Sequence, residues 1–292
     1  MTPPHLPPPM PPACPLPLIP LFGALLLLGG CAGATPPPVP GTPAKPLAGG
    51  VAAAPMNNAD YADVLAAVVN QEGLVDYPAL RQRRRMLDTF LKRIGALDPQ
   101  RFAAWPETEQ IAFLLNAYNA FTLAAIIERD PLPRSIRDIP GVWRLRTHRL
   151  MGSPLTLDAI EHRILRREYN EPRIHAALVC AARSCPPLRR EPFRGERLEA
   201  QLEDQTHRWL NGPRGVVIDR EERTVNISPI FQWFAEDWQR RNPQAQPVPG
   251  HLEQSAVLRF IASHVDPDER RFLLEGTYEL GYLEYDWSLN QS

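Results

Sequence analysis

The first 55 residues of this 292-residue chain contain no acid and only one lysine, Lys45, yet they hold 17 of the chain's 34 prolines. A segment so poor in charge and so dense in proline builds no core, which places the globular part from about Met56 onward. Lysine is scarce there too: Lys92 stands alone among 31 basic residues, and the rest are arginine. The 33 acids leave that part with a net charge of −2, from 31 − 33. With no recognised binding motif and no basic excess, nothing points to nucleic acid. Cysteine is limited to four positions, and none forms a C-x-x-C pair or a standard zinc spacing. No metal and no cofactor is expected. No internal repeat is visible, and the apolar run Leu21–Leu28 is too short to span a membrane as a helix.

What the N-terminus does offer is an address. "PLPLIPLFGALLLLGGCAGA" places a short apolar stretch before small residues, as a secretory signal does. "LGGC", Leu28–Cys31, resembles the bacterial lipobox, in which the peptidase cuts before a cysteine that is then lipidated. The expected organisation is a lipoprotein signal peptide over residues 1–30, a Pro/Ala/Gly tether over 31–55, and one domain over 56–292. An acylated Cys31 would be the membrane partner. Ala32 rather than Asp after it favours the outer membrane, with the domain facing the periplasm. The upstream region departs from the usual signal in having no Lys or Arg.

Within the domain, hydrophobic periodicity predicts α+β: a single globular domain of about seven helices with short hairpins and a small mixed or antiparallel sheet. Helices are expected over 61–71 with Asp60 as cap, from Pro78 to about Gly95, over 107–130, from Thr156 or Asp158 onward, over 195–211, from Pro229, and after Pro249–Gly250. The 107–130 segment is apolar nearly all round and should be central. Hairpins are expected over 143–158 and 215–228, a buried strand over 173–180 and a final strand over 278–290. The middle of the chain is positive and its end negative. Residues 134–197 carry 14 Arg against 7 acids, and residues 198–292 carry 9 Arg against 16 acids. This pattern suits either two solvated faces or an anion-attracting surface mid-chain.

Candidate chemistry concentrates in a few places. Asn116 and Asn119 share a face of the central helix, and each buried amide needs partners or costs on the order of 1–3 kcal/mol. They either fix a chain crossing or line a pocket. Glu161 and His162 sit together in "IEHR". His175 precedes Cys180 by five residues, a spacing that would put them on opposite faces of a regular strand. Cys180 and Cys185 allow a disulfide, a reactive thiol, a metal ligand pair or inert packing. Arg183 and Arg189 supply positive charge beside them. His148 lies on a hairpin, and His207, His251 and His264 on helix faces expected to meet solvent.

Several blocks together carry a resemblance: "VDYPAL", "QIAFLLNAYNAFTL", "SIRDIPGVW", "LTLDAIEHRILR", "PRIHAALVCAARSCPPLR", "LEAQLEDQTHRWLN", "ISPIFQWFAEDW" and "YDWSLN". In this order the chain resembles the domain of unknown function 547 family, from about residue 60 to its end. Many relatives have a Trp where this chain has Leu114. The resemblance implies one domain and directs attention to the Asn116/Asn119, Glu161/His162 and His175/Cys180/Cys185 blocks, but it transfers no activity. A fold-level analogy to papain-like and transglutaminase-like enzymes meets Asn116 where their helix carries a nucleophilic cysteine. The expected function is an uncharacterised cell-envelope lipoprotein domain that binds a small-molecule or protein partner. The alternative is a thiol hydrolase or transferase using Cys185 or Cys180 with His175 or His162 as base.

Overall fold

Glu107–Ile127 forms a helix of 21 residues, buried without interruption from Gln110 to Ile127. Leu, Ala, Phe and Ile occupy most of those positions, so no face of the helix can be left to water and other elements must surround it. Among the described residues it is long and apolar enough to cross a membrane, yet its apolar window is entirely covered by protein, as befits a core helix. The structure is a computed structural model that describes residues 54–292. The expected signal peptide and Cys31 lie outside those residues, as does all but the end of the tether.

Two hydrophobic cores are built around and beside this helix. The first gathers helices Ala59–Val68, Tyr77–Gln82 and Arg84–Gly95 against it, with Tyr61 stacked on Phe90 at 4.5 Å and Phe102, Trp105 and Phe113 packed as a triad. The second is made by the end of helix Leu198–Leu210 and by helices Pro229–Trp233, Ala235–Arg241, Ser255–Ala262 and Pro267–Glu275, around Trp209, Phe231 and Trp238. Strands β1 (Thr147–Leu150) and β2 (Ser153–Thr156) pair as a hairpin. Strands β3 (Val216–Asp219) and β4 (Thr224–Ile227) form a second hairpin, and β5 (Glu279–Tyr282) adds to β4 in parallel. The fold is α+β, with a small mixed sheet. Tyr285, just beyond β5, packs against both cores and marks the seam between them.

The structure corrects several local expectations. Residues 173–180 do not make a strand: Ile174–Ala177 is one turn of helix, and the chain becomes extended only at Leu178. A short buried apolar run cannot be told from a buried helix by periodicity. Here Pro172 and the Glu171 carboxylate, which accepts from the Arg173 N–H, start the turn. The strand-parity argument separating His175 from Cys180 therefore does not apply. The helix from Pro78 is two helices broken at Arg83, and the one from Pro229 is broken at Phe234. Such breaks, with the short helices Pro99–Ala103 and Pro267–Glu275, raise the count from about seven to twelve α-helical segments among the described residues. Asp60 does not cap the first helix. Asn57 accepts from the Ala59 N–H, while Asp60 pairs with Arg93 at 2.6 Å. The regular strand at the C-terminus stops at Tyr282, and His264 is buried rather than facing solvent.

Part of the charge asymmetry is met inside the molecule. Arg166 pairs with Glu236 and Asp237, Arg173 with Glu199 and Glu203, and Arg189 with Asp204. The positive middle and the negative end of the chain are thus complementary surfaces of one fold.

Candidate functional site

The two asparagines of the central helix are spent on backbone. Asn116 donates to the Phe193 carbonyl at 2.8 Å and accepts from the Phe193 N–H at 2.9 Å. Asn119 donates to the Ala177 carbonyl at 3.0 Å and accepts from the Val179 N–H at 2.9 Å. Each amide therefore acts as a one-residue strand partner for an extended segment that lacks one, satisfying groups that could not be buried bare. The crevice beside Asn119, lined by Tyr77, Val179 and Asn290, has no room for a water molecule. Through these bonds the central helix fixes the entry to the segment that carries both cysteines.

That segment is clamped from the far end of the chain. Arg183 N–H donates to the Ser288 carbonyl, Asn290 N–H to the Ala181 carbonyl, and Ser184 N–H to the Asp286 carbonyl. Ala181 takes a left-handed backbone conformation at φ 62°, which turns the chain so that Cys180 and Cys185 face each other. No S–S bond joins them here, and their sulfurs lie 2.6 Å apart, closer than two unbonded sulfurs ordinarily approach. Cys180 N–H donates to the Cys185 sulfur at 3.1 Å, and the Tyr285 hydroxyl lies 3.4 Å from Cys185 and 3.6 Å from Cys180. Cys185 is 1% exposed and Cys180 half-buried. Burial disfavours the Cys185 thiolate, but the hydrogen bonds from Cys180 and Tyr285 outweigh it and bring this thiol below its usual range. Its hydrogen bond with Cys185, and then burial, push Cys180 up. Burial, and after it the two cysteines, also raise Tyr285, which keeps it a neutral donor. Arg214 braces the same loop by donating to the carbonyls of Arg183 and Cys185.

Glu161 and His162 sit on Ala159–Leu165, a π-helical stretch where an ordinary helix was expected. Such wide turns recur at functional sites. The buried Tyr118 of the central helix feels both groups: burial first, and then Glu161, Cys180 and Cys185, push its hydroxyl up. His162 turns the other way, with Nδ1 3.1 Å from Arg166. His175 is 2% exposed and bonds Asp237 through Nε2 at 2.7 Å, so the partner of this histidine is a carboxylate and not a thiol. Burial acts to raise Asp237, but hydrogen bonds from His175 and Arg166 overcome it and hold the carboxyl at about 2. Phe234 lies between them, stacked on His175 at 4.3 Å, tilted to His162 at 5.9 Å, and covered by the Arg166 guanidinium at 4.7 Å. Among the described residues no histidine hydrogen-bonds either sulfur.

The sequence candidates thus fall into two adjoining groups. Glu161, Tyr118, Cys180, Cys185 and Tyr285 form one; His162, Arg166, His175, Asp237 and Phe234 form the other. Trp233, next to Phe234, joins them by packing on Tyr285 at 4.9 Å. From there a face of partly exposed aromatic rings extends outward. Trp287 lies 4.6 Å from Tyr285, 6.0 Å from Trp233 and 6.3 Å from Trp143, with the Arg137 guanidinium 5.3 Å over its ring. Arg183 is exposed and donates to the Gln291 carbonyl. Arg189 is buried against Phe193, Gln201, Gln205, Asp204 and Glu191. Sequence reasoning assigned no role to Tyr118, Arg214, Asp237 or the aromatic face. The blocks "ISPIFQWFAEDW" and "YDWSLN" contained most of these residues, but nothing in their spacing shows that they meet.

Residues 102–210 match the family model described as "Protein of unknown function, DUF547". The match supports the domain family that the sequence blocks resemble, and it covers the central helix, the π-helical stretch and the cysteine loop. Asp237, Trp233, Tyr285 and Trp287 lie beyond it. Comparisons with curated proteins and with solved structures gave no match.

Proposed function

We propose that residues 56–292 are the partner-binding domain of a cell-envelope lipoprotein, held to the outer membrane through an acylated Cys31 and facing the periplasm, and that its partner is a protein docking on the aromatic face. One observation carries the reading. Trp143, Trp233, Tyr285 and Trp287 come from three distant parts of the chain, remain partly exposed, and share their face with Arg137. Trp, Tyr and Arg are the residues that dominate binding energy at protein interfaces, where large rings gain most from losing their remaining water contact. The lining is a surface cluster rather than a deep cavity, which suits a protein better than a small molecule. The thiols do not enter this reading, and the histidines expected to serve them are engaged by Asp237 and Arg166.

The reading is tested by placing a photo-crosslinking amino acid at Trp143 or Trp287 in cells that produce the full chain, with Leu252, an exposed apolar residue, as control position. A discrete protein adduct at the first two positions, weakened by Trp233→Ala and absent at 252, is the expected result. Equal adducts at all three positions would rule the face out. Conversion of Cys31 to Ala should move the chain from the membrane to the soluble fraction; retention on the membrane would remove the lipoprotein part.

A further inference from the structure

We propose that Cys180 and Cys185 form a peroxide-reactive dithiol, in which Cys185 is oxidised first and Cys180 resolves it to a disulfide. The substrate class is small hydroperoxides. The geometry separates the two roles. Cys185 sulfur receives the Cys180 N–H at 3.1 Å and faces the Tyr285 hydroxyl at 3.4 Å, so charge on this sulfur meets two donors beside the partly exposed Cys180. Arg214, bound to the Cys185 carbonyl, adds a fixed positive charge beside it. Cys180 touches the same sulfur at 2.6 Å, and both cysteines sit on a loop clamped by residues 286–290, so they are held together without a folding cost. At 1% exposure Cys185 is out of reach of a protein disulfide, whereas a hydroperoxide is small enough to enter beside the half-buried Cys180.

The steps balance. The Cys185 thiolate attacks one oxygen of the hydroperoxide; the O–O bond breaks, the sulfur becomes a sulfenic acid, and the leaving oxygen departs as water or alcohol after taking a proton. Cys180, as its thiolate, then attacks the Cys185 sulfur. The S–O bond breaks, hydroxide leaves as water with the Cys180 proton, and the S–S bond forms. For hydrogen peroxide the sum is dithiol plus peroxide giving disulfide plus two waters. A small thiol restores the pair by exchange. The inference stands apart from partner binding, since its readout is chemical.

Arg183 lies between the two cysteines, which gives a direct assay. Trypsin leaves Cys180 on residues 174–183 and Cys185 on residues 184–189, so a bond between them appears as two linked peptides, and Cys14 and Cys31 do not interfere. The full-length chain is reduced, freed of reductant, treated with hydrogen peroxide, alkylated and digested. Linked peptides should form at least about tenfold faster in the folded chain than in the same chain unfolded in urea. Cys180→Ser should accumulate a sulfenic acid on Cys185, trapped by dimedone as the chain is unfolded, and Tyr285→Phe should slow its formation. Wild-type chain given less than one equivalent of peroxide and unfolded at once into dimedone reports the first sulfur oxidised without any substitution, whether or not a variant folds. Absence of linked peptides, a folded rate no higher than the unfolded one, or first labelling at Cys180 would each overturn the proposal.

Discussion

Replacing Asn116 by Ala removes an amide that is 2% exposed and serves both polar groups of Phe193. The Phe193 N–H and carbonyl then lose the partner that buried them. Each orphaned group costs about 1–3 kcal/mol, which sums to roughly 2–6 kcal/mol for the pair. For a domain of this size 1 kcal/mol moves the melting temperature by about 2–4 °C, so a fall of roughly 4–24 °C is expected. Urea unfolding should show the same loss as a lower midpoint at unchanged slope. Asn116→Asp sharpens the test. It keeps an acceptor for the Phe193 N–H but sets an anionic oxygen against the Phe193 carbonyl. It should therefore be worse at pH 7 than at pH 4, where a protonated carboxyl can donate. A cost below about 1 kcal/mol for the alanine variant, or an aspartate variant with wild-type stability at pH 7, would refute the claim that this amide holds the loop.

Two further expectations concern pH. Asp237 is held at about 2, below its ordinary 3.8, so its contribution is complete above pH 3.8 and is lost as pH falls towards 2. The loss should reach about 2 kcal/mol and vanish in Asp237→Asn, as read by urea midpoints between pH 2 and 5. His148 is pushed down to about 4 by burial and then by Arg146, its ring stacked on Phe121 at 4.5 Å with Nε2 buried and unpartnered. Its unfolded form takes a proton near pH 6.5 while the folded form refuses it. Stability should therefore decline as pH falls from 6.5 to 4, by on the order of 2–3 kcal/mol. His148→Phe should flatten the curve over that window, and an unchanged slope would assign the effect to another group. A third expectation is steric: a Cβ at Gly195 would meet the Glu109 backbone at 2.6 Å, so Gly195→Ala should lower the melting temperature and free the hinge into helix Leu198–Leu210.

How much of this was legible depends on the range of the interaction. The central helix was readable because its apolar residues run on without a polar face, and the 215–228 hairpin because alternation flanks a charged turn. Both depend on residues close in sequence. The 173–180 segment was misread because a short, mostly apolar run after a proline satisfies either a strand or one helical turn; the Glu171 carboxylate starts the turn, and the Asn119 amide, about 60 residues away, holds the extended chain that follows it. The breaks at Arg83 and Phe234 have no proline or glycine to announce them. At Phe234 the ring is held between His175, His162 and Arg166, a tertiary arrangement that overrides helix propensity. The site itself was half legible. Asn116, Asn119, Glu161, His162, His175 and both cysteines stood out as chemical oddities in apolar surroundings. Their partners Tyr285, Asp237 and Arg214 did not, because Tyr, Asp and Arg are unremarkable in blocks that face solvent elsewhere.

Tyr285 is the residue on which the two proposals meet. Its hydroxyl lies within hydrogen-bonding range of both sulfurs, and its ring packs on Trp233 and Trp287. A disulfide accepts hydrogen bonds more weakly than a thiolate, so oxidation loosens the hydroxyl from the loop while the ring stays within the aromatic face. The face then loses one of its contacts with the cysteine loop, and its rings can reorient against one another. Tryptophan emission should register this, because Trp233 and Trp287 both contact the Tyr285 ring. Peroxide should shift the emission of the wild-type chain and small thiols should reverse it. Tyr285→Phe, which keeps the ring and deletes the tether, should show the shifted spectrum before any oxidant is added and little change afterwards. An emission shift of full size in Tyr285→Phe would mean that the dithiol reaches the face by another route, most directly through the clamp of residues 286–290 on the cysteine loop.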